Sequence, residues 1–242
     1  MKAIVTGHTR GLGAAIAAEL LGRGIPVLGV ARRRHAELEQ RHPDALRQIA
    51  LDLSDAPALA AWLAGPALRD FAGGAEPVLL VNNAGVVHPV GPLPLQDPAE
   101  VAHAVGLNVA GPLMLSAALC AATEDAAERR ILHVSSGAAR SAYPGWSVYC
   151  ATKAALDHHA RAAALDNTPK LRICSLAPGV IDTDMQAEIR ATAPERFPIR
   201  ERFDALKREG ALTDPRTCAR ALVDYLLSDA FGTVPVTDLR QL

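Results

Sequence analysis

Tyr149 and Lys153 stand four residues apart in the run Ser147-Val148-Tyr149-Cys150-Ala151-Thr152-Lys153-Ala154-Ala155-Leu156-Asp157, a stretch of helix formers. Residues at i and i+4 share one face of a helix, so the Lys153 ammonium can sit beside the Tyr149 phenol. A free phenol titrates at about pH 10, and a neighbouring cation moves it toward neutrality. Lowering it by roughly 3 units takes about 4 kcal/mol of differential stabilisation. Tyr149 would then serve as a general acid or base at working pH. The same spacing also arises by chance, as a packed aromatic beside a solvated amine. What separates the two readings is whether the chain also supplies a cofactor site and a second polarising group.

The elements that must position this pair alternate along the chain. Lys2 to Thr6 is a short apolar run, and Leu12 to Leu21 carries an alanine- and leucine-rich helical pattern. Between them lies Thr6-Gly7-His8-Thr9-Arg10-Gly11-Leu12-Gly13, whose glycines let the backbone turn sharply and approach a ligand. The helix that follows aims its free N–H groups and positive dipole end at that turn, which suits a pyrophosphate. Ile25 to Val30 reads as a second strand, followed by Ala31-Arg32-Arg33-Arg34. An acidic residue there would bind the ribose 2′-hydroxyl of NAD; guanidinium groups match a 2′-phosphate instead. Arg32 and Arg33, with Arg10 from the glycine turn, therefore favour NADP(H), and Arg34 reads as a solvated surface arginine.

Gln48 to Leu53 is a third strand, and Asp52 with Leu53 either meets the adenine edge or, with Ser54, starts the next helix. Asp55 to Phe71 reads as that helix. Val78 to Val81 is a fully apolar strand of the buried parallel kind, ending in Asn82-Asn83-Ala84-Gly85. Small and amide residues at a strand's carboxyl end suit a cofactor crossing the sheet crevice. Asp97 to Ala122 reads as one long helix, interrupted chemically at Pro112. That proline cannot donate to the Asn108 carbonyl, which is left free to hold a water unless the irregularity only kinks the helix. Arg130 to Ser135 is a fifth strand delivering Ser135 and Ser136, either of which could reach a carbonyl near Tyr149.

Leu171 to Leu176 makes a sixth strand, and Gly232 to Val236 a seventh after a helix from Pro215 to Leu227. Together these predict a doubly wound, Rossmann-type α/β fold with a seven-stranded parallel sheet, one domain across 1–242. The charged, proline-bearing stretch 184–214 reads as a substrate-binding lid. A formal charge of −1 gives no electrostatic footprint for nucleic acid or an anionic membrane, and no apolar run approaches a membrane span. The partner expected is a small molecule. Cys120, Cys150, Cys174 and Cys218 have neither disulfide-framework nor zinc spacing, so no metal is expected. With no signal-peptide pattern at the start, a cytoplasmic location is expected.

With these residues placed, the chain resembles the short-chain dehydrogenase/reductase family over essentially its whole length. Thr6-Gly-x-x-x-Gly11-x-Gly13, Asn82-Asn-Ala-Gly85, Asn108, Ser136, Tyr149-x-x-x-Lys153 and Pro178-Gly179 fall in the family's order. The resemblance implies a tetrad. Ser136 would polarise the substrate carbonyl and Tyr149 transfer the proton. Lys153 would lower the tyrosine pKa and hold the nicotinamide ribose, and Asn108 would hold a relay water. It further implies that Thr183 lies near the nicotinamide amide and that Pro178, Gly179 and Val180 lie beside the ring. It selects Ser136 over Ser135.

A closer likeness, to the sepiapterin reductase and bacterial benzil reductase branch, rests on Tyr149-Cys150-Ala151, Asp182-Thr183-Asp184-Met185-Gln186 and Leu206-Lys207-Arg208-Glu209-Gly210-Ala211-Leu212. It implies a ketone of a small dicarbonyl compound as substrate. Asp238 is the nearest counterpart of the aspartate that anchors pterin, with different local spacing, while Trp146, Met185 and Phe203 suit a flat aromatic diketone. It also implies a homodimer or homotetramer, built on the small-residue faces of 97–122 and 147–166. Two other functions compete. A reductase of carrier-bound acyl chains should show a basic docking patch, which the near-neutral charge does not support. A non-catalytic NADP(H)-binding regulator would tend to lose one of the four catalytic residues, and all four are present.

Overall fold

A computed structural model describes residues 1–242. Seven strands form one parallel sheet: β1 (Lys2–Thr6), β2 (Val27–Ala31), β3 (Leu46–Ala50), β4 (Val78–Asn82), β5 (Arg129–Val134), β6 (Leu171–Ala177) and β7 (Val236–Asp238). Their spatial order is β3-β2-β1-β4-β5-β6-β7. The chain therefore reverses its winding between β1 and β4, and the crevice outside their carboxyl ends is where such sheets take a ligand.

Successive strand residues point to opposite faces, and the core divides accordingly. Ala3, Val5, Leu79 and Val81 pack beneath α1 (Gly11–Gly22) and α10 (Pro215–Leu227) through Ile16, Leu20, Leu222 and Val223. On the other face, Ile4, Leu28, Leu80 and Ile131 meet Leu59, Leu68, Leu115, Leu119 and Ala160. Each fully buried leucine or isoleucine contributes about 1.5–3 kcal/mol relative to exposure, which holds the crevice walls rigid.

Several boundaries differ from the sequence expectation, each for a local reason. The helix expected over Asp55 to Phe71 is two: α3 (Ala56–Ala64), capped by Asp55 accepting from the Ala58 amide at 2.9 Å, and α4 (Ala67–Ala72). Gly65 and Pro66 break it, since proline has no N–H to continue the ladder. A short α2 (Ala36–Arg41) was not anticipated; six largely polar residues carry no apolar periodicity. β7 starts four residues later than expected, after Gly232 takes a left-handed turn at φ +73°.

The long helix is α5 (Pro98–Val105) and α6 (Gly111–Ala122) joined by a π-helical turn over Gly106–Ala110. Pro112 cannot donate in the first turn of α6, and the widened turn with Asn108 at its centre absorbs the mismatch. Contrary to the expectation, this 25-residue stretch is long and apolar enough to cross a membrane. Its leucines, valines and alanines raise the hydropathy, while Leu115 and Leu119 are buried against the sheet. The 184–214 stretch is more ordered than its pattern suggested, holding α8 (Asp184–Ala191) and α9 (Arg200–Arg208).

Candidate active site

The glycine turn is bolted to the end of β4. The Thr6 hydroxyl accepts from the Asn83 and Ala84 amides at 2.9 and 3.0 Å, and the Asn83 side chain returns a bond to the Thr6 carbonyl at 3.0 Å. Gly13 is obligatory on space alone, because a Cβ there would lie 2.2 Å from the Gly7 carbonyl oxygen. Arg10 at the helix N-cap makes no capping bond, so the first amides of α1 remain available to an anion.

α7 (Ser147–Leu165) presents Tyr149, Lys153 and Asp157 at successive turns of one buried face. The Lys153 ammonium donates to the Val134 carbonyl at 2.9 Å and lies 5.7 Å from the centre of the Tyr149 ring. Burial lowers its pKa to about 8, with Asp157 opposing that shift. The Tyr149 phenol departs from the expectation. Burial raises its pKa, and a hydrogen bond with Ser136 only partly offsets this. Desolvation of the phenolate outweighs the Ser136 bond, so the phenol form is favoured in the ligand-free protein.

Ser135 and Ser136 have separate roles. Both border the crevice, but Ser136 hydrogen-bonds Tyr149, whereas Ser135 donates to Asp157 Oδ1 at 2.6 Å. The same oxygen accepts from Ser175 at 2.7 Å, and Arg140 approaches Oδ2 at 3.2 Å. Asp157 was not singled out in the sequence. Its spacing, four residues beyond Lys153, was the available signal.

Asn108 is buried under this face and does not line the crevice. Its side chain clamps the chain after Gly85, accepting from the Val86 amide at 2.9 Å and donating to the Val86 carbonyl at 2.8 Å, with a further bond to Thr152 at 3.1 Å. Every other residue expected at the cofactor, from Gly7 to Thr183, lines one cavity of about 550 Å³. The strand order sets Arg32 and Arg33 after β2, the glycine turn after β1, and Lys153, bonded to β5, with Tyr149 beyond β4. Asp52 borders it too, but its carboxylate is held by the Ser54 amide and hydroxyl at 2.9 and 2.6 Å, and Asp55 starts α3 in its place. Arg34 is turned away and paired with Glu39.

The substrate end has an aromatic wall. Trp146 stacks on Phe197 with centroids 4.6 Å apart and touches Tyr149 and Phe203, each at 5.3 Å. Met185 and Tyr143 border the same space. Asp238 does not reach it. Its carboxylate is buried against Arg240, at 2.6 and 2.8 Å, because the residue two positions on folds back over it in the terminal turn. Arg240 lines the cavity instead.

The short chain dehydrogenase family model matches residues 1–194. This chain belongs to the short-chain dehydrogenase family. It is 34% identical to a benzil reductase ((S)-benzoin forming) of Bacillus cereus over 236 residues, covering 94% of each chain. It is 36% identical to the sepiapterin reductase of Meriones unguiculatus, covering 94% of this chain and 92% of that one. A crystal structure of a short-chain dehydrogenase/reductase from Burkholderia vietnamiensis shares 56% identity and superposes with a TM-score of 0.73, covering 100% and 97% of the two chains. The protein is accordingly an oxidoreductase of the carbonyl/alcohol type that works with a nicotinamide cofactor. The uncapped α1 terminus, the close packing of α1 on the glycine turn that Gly13 permits and the volume of the crevice fit a dinucleotide.

Proposed function

We propose that this short-chain dehydrogenase is an NADP(H)-dependent reductase of a ketone in a small, flat dicarbonyl compound. The observation that carries the cofactor choice is the pair Arg32 and Arg33, which follow β2 and border the same cavity as Tyr149. Guanidinium groups at that site match a 2′-phosphate in charge and fork geometry. The aromatic wall of Trp146, Tyr143 and Phe203 supports a planar substrate, as do the benzil and sepiapterin reductase relatives.

The bound nicotinamide supplies the hydride. The chain's own residues hold the ketone and manage the proton. Ser136 orients the carbonyl oxygen toward Tyr149, whose raised pKa keeps it a phenol, the form that can give a proton to the developing alkoxide. Lys153, fixed by the Val134 carbonyl, sets a positive charge against the phenolate that this leaves. Asn108, inside the π turn, ties α6, α7 and the chain after β4 into one block, so the tetrad's spacing is preset. The 184–214 segment closes the substrate end as a lid, anchored through Phe197 and Phe203 on Trp146.

Oxidation of NADPH and NADH, followed in parallel with a panel of aromatic 1,2-diketones, tests the reading. A clear NADPH preference with diketone turnover is expected; equal rates with NADH would overturn the cofactor assignment. We further propose a homodimer or homotetramer built on the faces of 97–122 and 147–166, which sedimentation would check.

A further inference from the structure

Gly29 in β2 is paired with Val5 on one side and Gln48 on the other. It has no side chain for a reason visible across the sheet. The His8 ring from the glycine turn lies over it, and a Cβ at Gly29 would be 2.5 Å from that ring. Through this gap His8, fully buried, crosses β2 and places Nε2 2.7 Å from Gln48 Oε1. The same oxygen accepts from the His35 backbone amide at 2.6 Å. The Gln48 amide nitrogen donates to Glu39 at 3.1 Å, which fixes which end of the amide faces His8. Nε2 of His8 must therefore be the protonated nitrogen, and Nδ1 is left buried without a partner. Burial lowers the His8 pKa, in keeping with a neutral ring.

This bridge spans the two parts of the cavity that meet the cofactor. At one end is the glycine turn; at the other is the Arg32–Arg34 turn, whose exit is pinned at the His35 amide. Neither His8 nor Gln48 lines the cavity, so they act only through those two turns. We infer that His8 and Gln48 are positioning residues for cofactor discrimination, fixing the Arg32–Arg33 turn at the distance from the glycine turn that a 2′-phosphorylated dinucleotide requires. The inference rests on the NADP(H) reading above. It goes beyond it in placing part of the discrimination in two buried side chains that touch no ligand. A cofactor without the 2′-phosphate uses the glycine turn but makes no demand on the arginine turn, so the two cofactors should respond differently to loss of the bridge.

The test is Gln48→Met, which keeps volume but leaves the His8 and His35 donors without an acceptor. Dissociation constants for NADP⁺ and NAD⁺ are measured by titration, alongside KM and kcat with NADPH and NADH. NADP⁺ affinity should fall about tenfold, NAD⁺ affinity should change less than about twofold, and kcat with NADPH should hold. A parallel loss for both cofactors, or no change in either, would overturn the inference. Should Gln48→Met fail to fold, His8→Phe keeps a ring over Gly29, removes only the donor, and is judged by the same ratio. The wild-type preference is a separate arm: a wild type that binds both cofactors equally defeats the NADP(H) reading itself and this inference with it.

Discussion

Lys153 Nζ lies 5.7 Å from the centre of the Tyr149 ring, one helical turn along, and is held by the Val134 carbonyl at 2.9 Å. The cation is therefore aimed by the sheet. In the ligand-free protein it does not bring the phenol down to neutrality, since burial raises Tyr149. In the proposed reaction its role is to oppose the charge that appears when the proton leaves.

That role requires the ammonium form. Lys153 is lowered by burial to about 8, so it is charged below that pH and loses its charge above it. The profile of kcat/KM, which reports the free enzyme, should fall on the alkaline side at about pH 8. A profile flat to pH 10 would show that the ammonium is dispensable.

Asp157 raises the Lys153 pKa against burial. The other groups around that ammonium are Tyr149 on the same helix and His133 on β5, which stays neutral in this range. Asp157→Asn removes the opposing charge, and the alkaline limb should move to lower pH by about one unit. Asparagine also removes the charge that pairs with Arg140, which loosens this face of α7, so kcat should drop as well. A limb that stays in place while kcat falls would make Asp157 a packing residue only.

His133 is buried between Asn82, at 3.1 Å, and His159, at 3.0 Å, and burial pushes its pKa down to about 3. Unfolding restores an ordinary imidazole. Between about pH 6.5 and 3 the unfolded chain therefore binds a proton that the folded one refuses. The stability His133 supplies is present above pH 6.5 and shrinks as pH falls, by up to about 1.4 kcal/mol per unit. Urea unfolding midpoints at pH 7, 6 and 5 should decline along this slope, and less steeply in His133→Gln.

Trp146 joins the 184–214 segment to α7 through Phe197 and Tyr149. Trp146→Ala should cost about 3–5 kcal/mol of stability and raise KM for an aromatic diketone more than it lowers kcat. Thermal unfolding and steady-state kinetics together check this; a kcat loss with unchanged KM would place Trp146 in the proton chemistry instead.

Much of this architecture was legible because its determinants are local. The glycine turn, the Asn82–Gly85 strand end and the Tyr149–Lys153 spacing each depend on a few neighbouring residues. Pro215 marks the start of α10 for the same reason. What was hidden depends on distant partners. Gln48 reads as an ordinary strand residue until His8 crosses β2 to meet it, and Asp157 until Ser135 and Ser175 close on it. Asp238 enters as the nearest counterpart of a pterin-anchoring aspartate, and only the folded terminal turn reveals Arg240 covering its carboxylate.

Delivery of the proton by Tyr149 is the step on which the proposed NADPH-dependent ketone reduction depends. It is tested most directly by comparing wild type and Tyr149→Phe for NADPH oxidation with a 1,2-diketone, with NADPH binding measured by fluorescence on the same samples. Turnover should fall by about 10²–10⁴-fold or more while NADPH affinity stays within about threefold. Turnover by Tyr149→Phe at near wild-type rate would contradict this role of Tyr149.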